Sequence, residues 1–236
     1  MIEYVNNLSQ KTKTLIPEAE IIAMFNGVLN NTASSNPPIF IGIGGGVAAG
    51  KNTLLRKLQA DKSVPENIYI HDPDDVMVKL PSYQKYLAEH GAQEAQKIFD
   101  KPALEIAEAM LKYAIDNKKD IIYMRTFAAQ NILEQLEQVK NAGYKLTEFH
   151  AVFADKDLIE QRLQERERQE QRSFPLNEAI ERTEKFSANF LPCSDFFEKT
   201  YKWQNNDELK LTPTNNKCHS LQASDILKVR TTGLNK

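Results

Sequence analysis

The stretch Ile39-Phe-Ile-Gly-Ile-Gly-Gly-Gly-Val-Ala-Ala-Gly-Lys-Asn-Thr-Leu54 decides how this chain is read. An apolar run comes first, then a glycine-rich loop, then a helical pattern beginning at Leu54, which is the order strand, loop, helix. Five of the nine glycines fall between Gly42 and Gly50, so their placement is a local demand rather than a compositional bias. Gly45, four residues, Gly50 and Lys51 match the pattern in which backbone N–H groups wrap a row of phosphates and the lysine reaches the terminal ones. The expected cradle is Gly45, Gly46, Val47, Ala48, Ala49, Gly50, Lys51, Asn52 and Thr53. The helix that follows aims its N-terminal dipole at the same anion. Asn52 stands where Ser or Thr ordinarily offers a hydroxyl to magnesium, and Thr53 comes one residue late. An amide oxygen can coordinate magnesium or hold one of its waters, so Asn52 alone does not argue for an inactive site.

Working outward, 236 residues suffice for one larger α/β domain with a substantial core. With 30 basic against 32 acidic residues, no global field favours nucleic acid or an anionic membrane. Cys193 and Cys218 show neither CxxC spacing nor a disulfide framework and read as free thiols in a reducing compartment. The N-terminus lacks a basic start and an apolar h-region, and no apolar run reaches the length of a membrane span, so a cytoplasmic protein is expected. His71, His90, His150 and His219 show no metal-ligand spacing, and no zinc site is inferred.

Residues 4–29 carry apolar positions at helical spacing, with Pro17 able to open a second helix. Expected strands are 39–43, 67–71, 120–124, 145–154 and 200–204. Helices are expected from Leu54, over 92–117 with a division at Pro102, over 131–141 with Gly143 as its stop, over 157–171 and over 177–190. Residues 205–216 read as a polar loop, and 220–229 as a short helix. Phe186, Phe190, Phe196, Phe197 and Trp203 read as packing at the end of the sheet. Strands alternating with helices imply a three-layer α/β fold with a mainly parallel five-stranded sheet. The organisation is a helical segment over 1–36, a phosphate-loop domain over 37–205, and an extension over 206–236 packed on the same domain.

The second strand ends in His71-Asp72-Pro73-Asp74-Asp75, which puts three carboxylates where open α/β sheets bind ligands. A turn followed by a helix N-cap accounts for one or two of them. Phosphoryl transfer needs a group to orient or deprotonate the acceptor hydroxyl, and cations to neutralise the transferring phosphoryl. Asp72, Asp74 and Asp75 are candidates for the first task. Arg162, Arg166, Arg168 and Arg172 are candidates for the second, although taken alone they read as a solvated helix face.

Residues 38–205 resemble the zeta toxins, phosphate-loop kinases related in fold to small-molecule kinases. The resemblance rests on ordered features: the glycine loop, a strand ending in Asp72-x-Asp74 with Pro81 seven residues beyond, a long helix containing Glu108, and a third strand. A helix ending in Gly143-Tyr144 and the arginine-rich segment follow. It implies an ATP- and magnesium-dependent kinase with an arginine-rich lid, transferring the γ-phosphoryl group to a hydroxyl of a small molecule, with a nucleotide sugar as the candidate acceptor. Asp74 matches the family's catalytic base and Lys51 the lysine that holds the terminal phosphates. Arg162 or Arg166, with Arg172, matches the phosphate-clamping arginines. Asp72, Glu108 and Thr126 fall toward the substrate, Asn52 and Asp72 toward magnesium, and a small helical antitoxin is the partner implied. The family's third strand usually ends Glu-Gly-Thr with an Arg two residues later, serving UDP-N-acetylglucosamine. Here Met124-Arg125-Thr126-Phe127-Ala128 keeps only Thr126. Losing a carboxylate and an arginine, at about 1.5–3 kcal/mol per charged hydrogen bond, points to a different acceptor. Two alternatives stand beside this reading: a nucleotide-binding regulatory module or degenerate kinase, and a nucleoside or nucleotide kinase.

Overall fold

In a computed structural model of the chain, the structure describes residues 1–170, 174–206 and 208–212. Three helices lead: α1 (Ile2–Asn6), α2 (Gln10–Leu15) and α3 (Glu18–Leu29). Ser9 caps α2 by accepting from the Thr12 N–H, and Pro17 precedes α3 as its N-cap. The core alternation follows: β1 (Ile39–Gly45), α4 (Lys51–Ala60), β2 (Tyr69–His71), α5 (Pro73–Lys79), α6 (Pro81–His90), α7 (Ala92–Asp116) and β3 (Ile121–Arg125). It continues through α8 (Ile132–Asn141), β4 (Lys145–Phe153), α9 (Lys156–Glu170), α10 (Leu176–Ser194), β5 (Lys199–Asn205) and β6 (Leu209–Thr212).

The strands form one sheet in the order β2-β3-β1-β4-β5-β6, parallel except that β6 runs antiparallel to β5. β1 lies at its centre, with Gly44 opposite Arg125 on β3 and Gly45 opposite Val152 on β4. Alternation along β1 splits the core. Phe40 faces α7 and the N-terminal helices, together with Tyr123 and Phe149, whereas Ile41 and Ile43 face α4 with Ile122 and Val152. The chain enters β1 through a buried knot, in which the Asp120 carboxylate accepts from the Ser35 N–H, the Ser35 hydroxyl and the Ile39 N–H at 2.7–3.1 Å. Three donors make burial of that charge tolerable.

Two of the five clustered glycines serve packing rather than phosphate. A Cβ on Gly42 would lie 2.9 Å from Phe149, and one on Gly44 would lie 2.9 Å from both Phe149 and Phe186. The missing side chains let rings lie against the strand: Phe149 stacks on Phe197 at 5.1 Å and meets Phe127 at 4.9 Å.

Several expectations change. The sheet has six strands rather than five, because Leu209 and Leu211, within a stretch read as loop, pack at the edge of the α4-side core and pair with β5. The long helix is continuous through Pro102, whose lost N–H bond is outweighed by the buried row Phe99, Ala103, Ile106 and Met110. Two helices escaped the periodicity, α5 and α6, and each opens on a proline at its first turn. The expected helix over 220–229, Arg172, Cys218 and His219 lie outside the described residues. No helix among the described residues is long and apolar enough to cross a membrane.

Gly44→Ala is expected to cost about 1–3 kcal/mol by overpacking, seen as a lower urea midpoint. In a double-mutant cycle Phe186→Leu should recover part of the loss; strictly additive effects would refute the ring contact as the cause.

Candidate active site

At the end of β1 the backbone turns through residues 46–50 into α4. Gly50, at φ +101°, is the N-cap of α4, and Ala48 is left-handed at φ +58°. The carbonyls of Ala48 and Ala49 are anchored from α9 and from the end of β5. Arg162 on α9 donates through Nη1 to the Ala48 oxygen at 3.2 Å and the Ala49 oxygen at 3.4 Å. Its Nη2 donates to the Asn205 and Asn206 carbonyls, both at 3.2 Å. The buried Asn205 side chain donates to the Ala49 oxygen at 2.8 Å and sits so close that a Cβ on Gly50 would be 1.8 Å from its Nδ2. In a planar trans peptide the N–H points opposite the carbonyl. Pinning the Ala49 carbonyl toward β5 therefore aims the Gly50 N–H into the loop, beside the first-turn N–H groups of Lys51, Asn52 and Thr53, which have no intrahelical acceptor. Over the loop's outer surface, Val47 and Ala48 pack with Ile159, Leu163 and Ala179 of α9 and α10. Thr183 of α10 covers Gly46, where a Cβ would lie 2.2 Å from its hydroxyl.

Lys51 folds back over this cradle, its Nζ donating to the Gly45 and Gly46 carbonyls at 3.1 and 2.9 Å. Burial pushes its pKa down to about 8, against the pull of Asp72 and Asp74. Asp72 follows β2 and caps α5, accepting from the Asp74 N–H at 3.1 Å. Burial, and then the neighbouring Asp74 charge, raise its pKa to about 6. Asp74 lies in the exposed first turn of α5, and Arg166 reaches across from α9 to within 3.6 Å of its carboxylate. Asp75 pairs instead with Lys79 at 2.6 Å along its own helix.

β3, one of the two strands beside β1, ends in Met124 and Arg125, and Asp72 and Asp74 follow β2, one strand further out. Among the described residues no cluster of three metal-binding side chains is preassembled. Magnesium needs no such cage, since it binds through one or two carboxylates plus substrate phosphates and keeps several waters. The all-oxygen pair of Asn52 and Asp72, with Asp72 destabilised by its own charge, fits that requirement.

On the opposite face, Arg125 pairs with Glu108 of α7 at 3.2 Å, and the Glu108 carboxylate is 3.8 Å from His71 Nε2. His71 is fully buried and stacked on Tyr123 at 5.1 Å, and burial pushes its pKa down to about 3, so it is neutral. Its Nε2 finds no hydrogen-bond partner among the described residues. Thr126 follows Arg125, half-buried.

The structure thus brings Lys51, Asn52, Asp72, Asp74 and Arg166 to one end of the sheet. Glu108 and Thr126 are set apart on the α7 side. Arg162, expected at the nucleotide, is bonded to four carbonyls. Asn205 was not anticipated, because nothing in the spacing of a polar residue at a strand end distinguishes it.

A parallel sheet carrying a glycine loop between its central strand and a helix, with Asp and Arg converging above it, defines a P-loop kinase-like fold. The zeta toxin family model matches residues 25–215, and the chain belongs to that family. A structure of the PezAT chromosomal toxin–antitoxin system of the human pathogen Streptococcus pneumoniae superposes with TM-score 0.63 at 18% identity, covering 95% of this chain and 89% of the other. The AvrRxo1-ORF1:-ORF2 complex with ATP gives 0.65 at 13% identity, covering 95% and 74%. At these identities the likeness is one of fold. No curated protein matches the sequence.

Asn205→Ala should weaken tripolyphosphate binding about fivefold to thirtyfold, as expected for about 1–2 kcal/mol of lost buried hydrogen bonding; calorimetry showing wild-type affinity would refute the role. Asp72→Asn should keep the N-cap and remove a strained charge. Because the folded pKa lies above the unfolded one, Asp72 destabilises the fold fully above pH 6 and not at all well below pH 4. Thermal melts of the variant should therefore exceed wild type at pH 7 and coincide with it near pH 3.

Proposed function

We propose that the chain is an ATP- and magnesium-dependent kinase that transfers the γ-phosphoryl group to a hydroxyl of a small-molecule acceptor. The observation that carries this is the opposition of Lys51, rooted in the phosphate loop, to Asp74 and Arg166, which meet at 3.6 Å beside it. The loop N–H groups and Lys51 hold the donor phosphates. Asn52 and Asp72 would hold magnesium directly or through its waters, and the metal would supply neutralisation of charge on the donor phosphates. Asp74 orients the acceptor O–H and takes its proton as the oxygen bonds to the γ-phosphorus and the β–γ bridge breaks, leaving ADP and a phosphorylated acceptor. Arg166 faces the transferring group, and Arg172 is retained as the second clamp. Arg162 is assigned to the loop rather than to phosphate, because its guanidinium already serves four carbonyls.

The ATP present in the AvrRxo1 complex supports the donor, and the PezAT system supports a small helical antitoxin as partner. A second reading, a module that binds nucleotide and signals without turnover, is favoured by Asn52, which stands in place of the usual hydroxyl ligand, and by Met124-Arg125-Thr126, which departs from the family's substrate segment.

Lys51→Ala and Asp74→Asn should each lower phosphoryl transfer from ATP to acceptors in a cell extract by about 10²–10⁴. Affinity for ATP should weaken as pH rises above about 8, where Lys51 loses its proton, and this dependence should vanish in Lys51→Ala. ATP binding with no transfer to any acceptor would select the second reading.

A further inference from the structure

We infer that Arg125 selects the acceptor: it exchanges Glu108 for an anionic group of the incoming molecule, and the released Glu108 closes onto His71. The inference rests on the kinase reading and assigns a specificity-determining residue to that site. Arg125 Nη1 donates to Glu108 Oε1 at 3.2 Å, and the same oxygen stands 3.8 Å from His71 Nε2, too far for a hydrogen bond. That nitrogen is buried and has no hydrogen-bond partner among the described residues. The Tyr69 hydroxyl lies 3.4 Å from His71 Nδ1, where it can donate, and this leaves the ring proton on Nε2, on the side of Glu108. Buried N–H groups are rarely left unpaired, so one held just short of a carboxylate marks a contact made in another state of the molecule.

Of the two partners, Glu108 is the one with room to move. The His71 ring is stacked on Tyr123 at 5.1 Å, and Tyr123 is stacked on Phe40 at 5.6 Å. The Glu108 side chain is 49% exposed, and a shift of its carboxylate by about 1 Å would complete the bond. Arg125 and Glu108 are both part-exposed, and pairs of that kind contribute little to stability, so a ligand can displace one partner. A guanidinium presents five donors in a planar fork that meets a carboxylate or phosphate at two points, and Glu108 takes one of those donors. An anion seated on the fork therefore outcompetes Glu108, and the displaced carboxylate gains the His71 N–H.

Arg125 is placed to meet an acceptor. In the parallel register Gly44 of β1 stands opposite Arg125, one residue before Gly45, whose carbonyl accepts from Lys51 Nζ. On the other side His71 of β2 stands opposite Tyr123, so Arg125 leaves β3 level with the turn into α5 that carries Asp72 and Asp74. Arg125 thus enters the site between the phosphate loop and the proposed base. A molecule whose hydroxyl is held by Asp74 runs over this end of the sheet, where Asp72 and Glu108 add two further carboxylates. Lys51 and Arg166 face the donor in the kinase reading, and Arg125 is the cation on the acceptor's side. The chemistry that fits is an alcohol bearing a phosphate or carboxylate group.

The test splits the acceptors of a cell extract on an anion-exchange resin and follows transfer from ATP into the retained and unretained fractions. Wild type should phosphorylate the retained fraction in preference. Arg125→Gln should raise the apparent KM for the retained acceptors about tenfold to a hundredfold, as for one lost charged hydrogen bond, with kcat little changed and KM for ATP rising far less. Arg125→Lys should recover part of the loss, because it keeps the charge without the fork. NMR with a non-hydrolysable ATP analogue and magnesium supplies a readout independent of turnover. Inorganic phosphate and malonate are added separately; either one moving the Arg125 Nε–H signal and shifting His71 Nε2–H downfield supports the exchange, and the one that does so names the group. In Arg125→Gln the His71 signal should be shifted before any anion is added, and in Glu108→Ala neither anion should move it. Preferential transfer to the unretained fraction, an equal rise in KM for ATP, or a His71 signal that neither anion moves in the wild type would each overturn the proposal. Failure of the kinase reading shows separately, as absence of ATP binding or of transfer to either fraction.

Discussion

A phosphate loop works by turning several N–H groups inward, and the same peptides then present carbonyls outward, where something must accept the task of donating to them. In this protein Arg162 and Asn205 supply those donors, bridging from α9 and the end of β5 to the Ala48 and Ala49 oxygens. Much of the remaining architecture follows from that tie. β5 must lie within reach of the loop, with only β4 between it and β1, and α9 must cross the carboxyl end of the sheet. The same placement of α9 brings Arg166, one turn beyond Arg162, over Asp74. The helix that braces the cradle is therefore also the one that supplies its cation.

The two faces of the sheet are specialised by the residues that alternate along its strands. Toward α7 and α10, glycine alternates into β1 so that phenylalanine rings can lie flat against it. Such a surface is stiff, since Phe149, Phe127 and Phe197 are each held by two or three other rings, and it holds the start of the loop from behind. Toward α4, branched aliphatic side chains pack the helix against the strands, and toward the β2 edge the same floor runs out into an open cavity. One face thus carries the aromatic packing and the Arg125–Glu108 pair beside a smaller cavity of about 360 Å³, and the other opens into a larger cavity beside the carboxylates.

The fold was legible from residues 39–54 and the strand–helix alternation because both depend on local pattern: a glycine spacing that only a cradle needs, and apolar runs that only a sheet buries. What was not legible depends on contacts between distant residues. Leu209 and Leu211 look like loop residues until β5 supplies a partner. Pro102 looks like a break until the buried row along α7 holds the helix through it. Gly42 and Gly44 look like part of the loop until Phe149 is placed against them. In the site, Lys51, Asp72, Asp74 and Arg166 could be named singly, since each belongs to a residue type that phosphate chemistry requires. Asn205 could not be, because its value lies wholly in a carbonyl 156 positions away.

The electrostatics of the site point the same way as its geometry. Lys51 is pulled down to about 8, chiefly by burial, with Arg166 and Arg125 adding to the shift, while Asp72 is pushed up to about 6 by burial and by Asp74. Two groups of opposite sign, each held in a state its surroundings disfavour, are not a design for stability, because either could be relieved by a neutral residue of similar size. The shifts have one common remedy: a polyanion against Lys51 together with a dication against Asp72. A phosphate chain carrying magnesium would supply both at once, and each partner would lower the cost of the other, so that binding energy would be drawn from a polarity already built into the protein. Arg125 fits this account better than the carboxyl-terminated third strand implied by the family's pattern. A cation there adds to the field around Lys51 that favours phosphate, and by holding Glu108 it keeps a further carboxylate from opposing it.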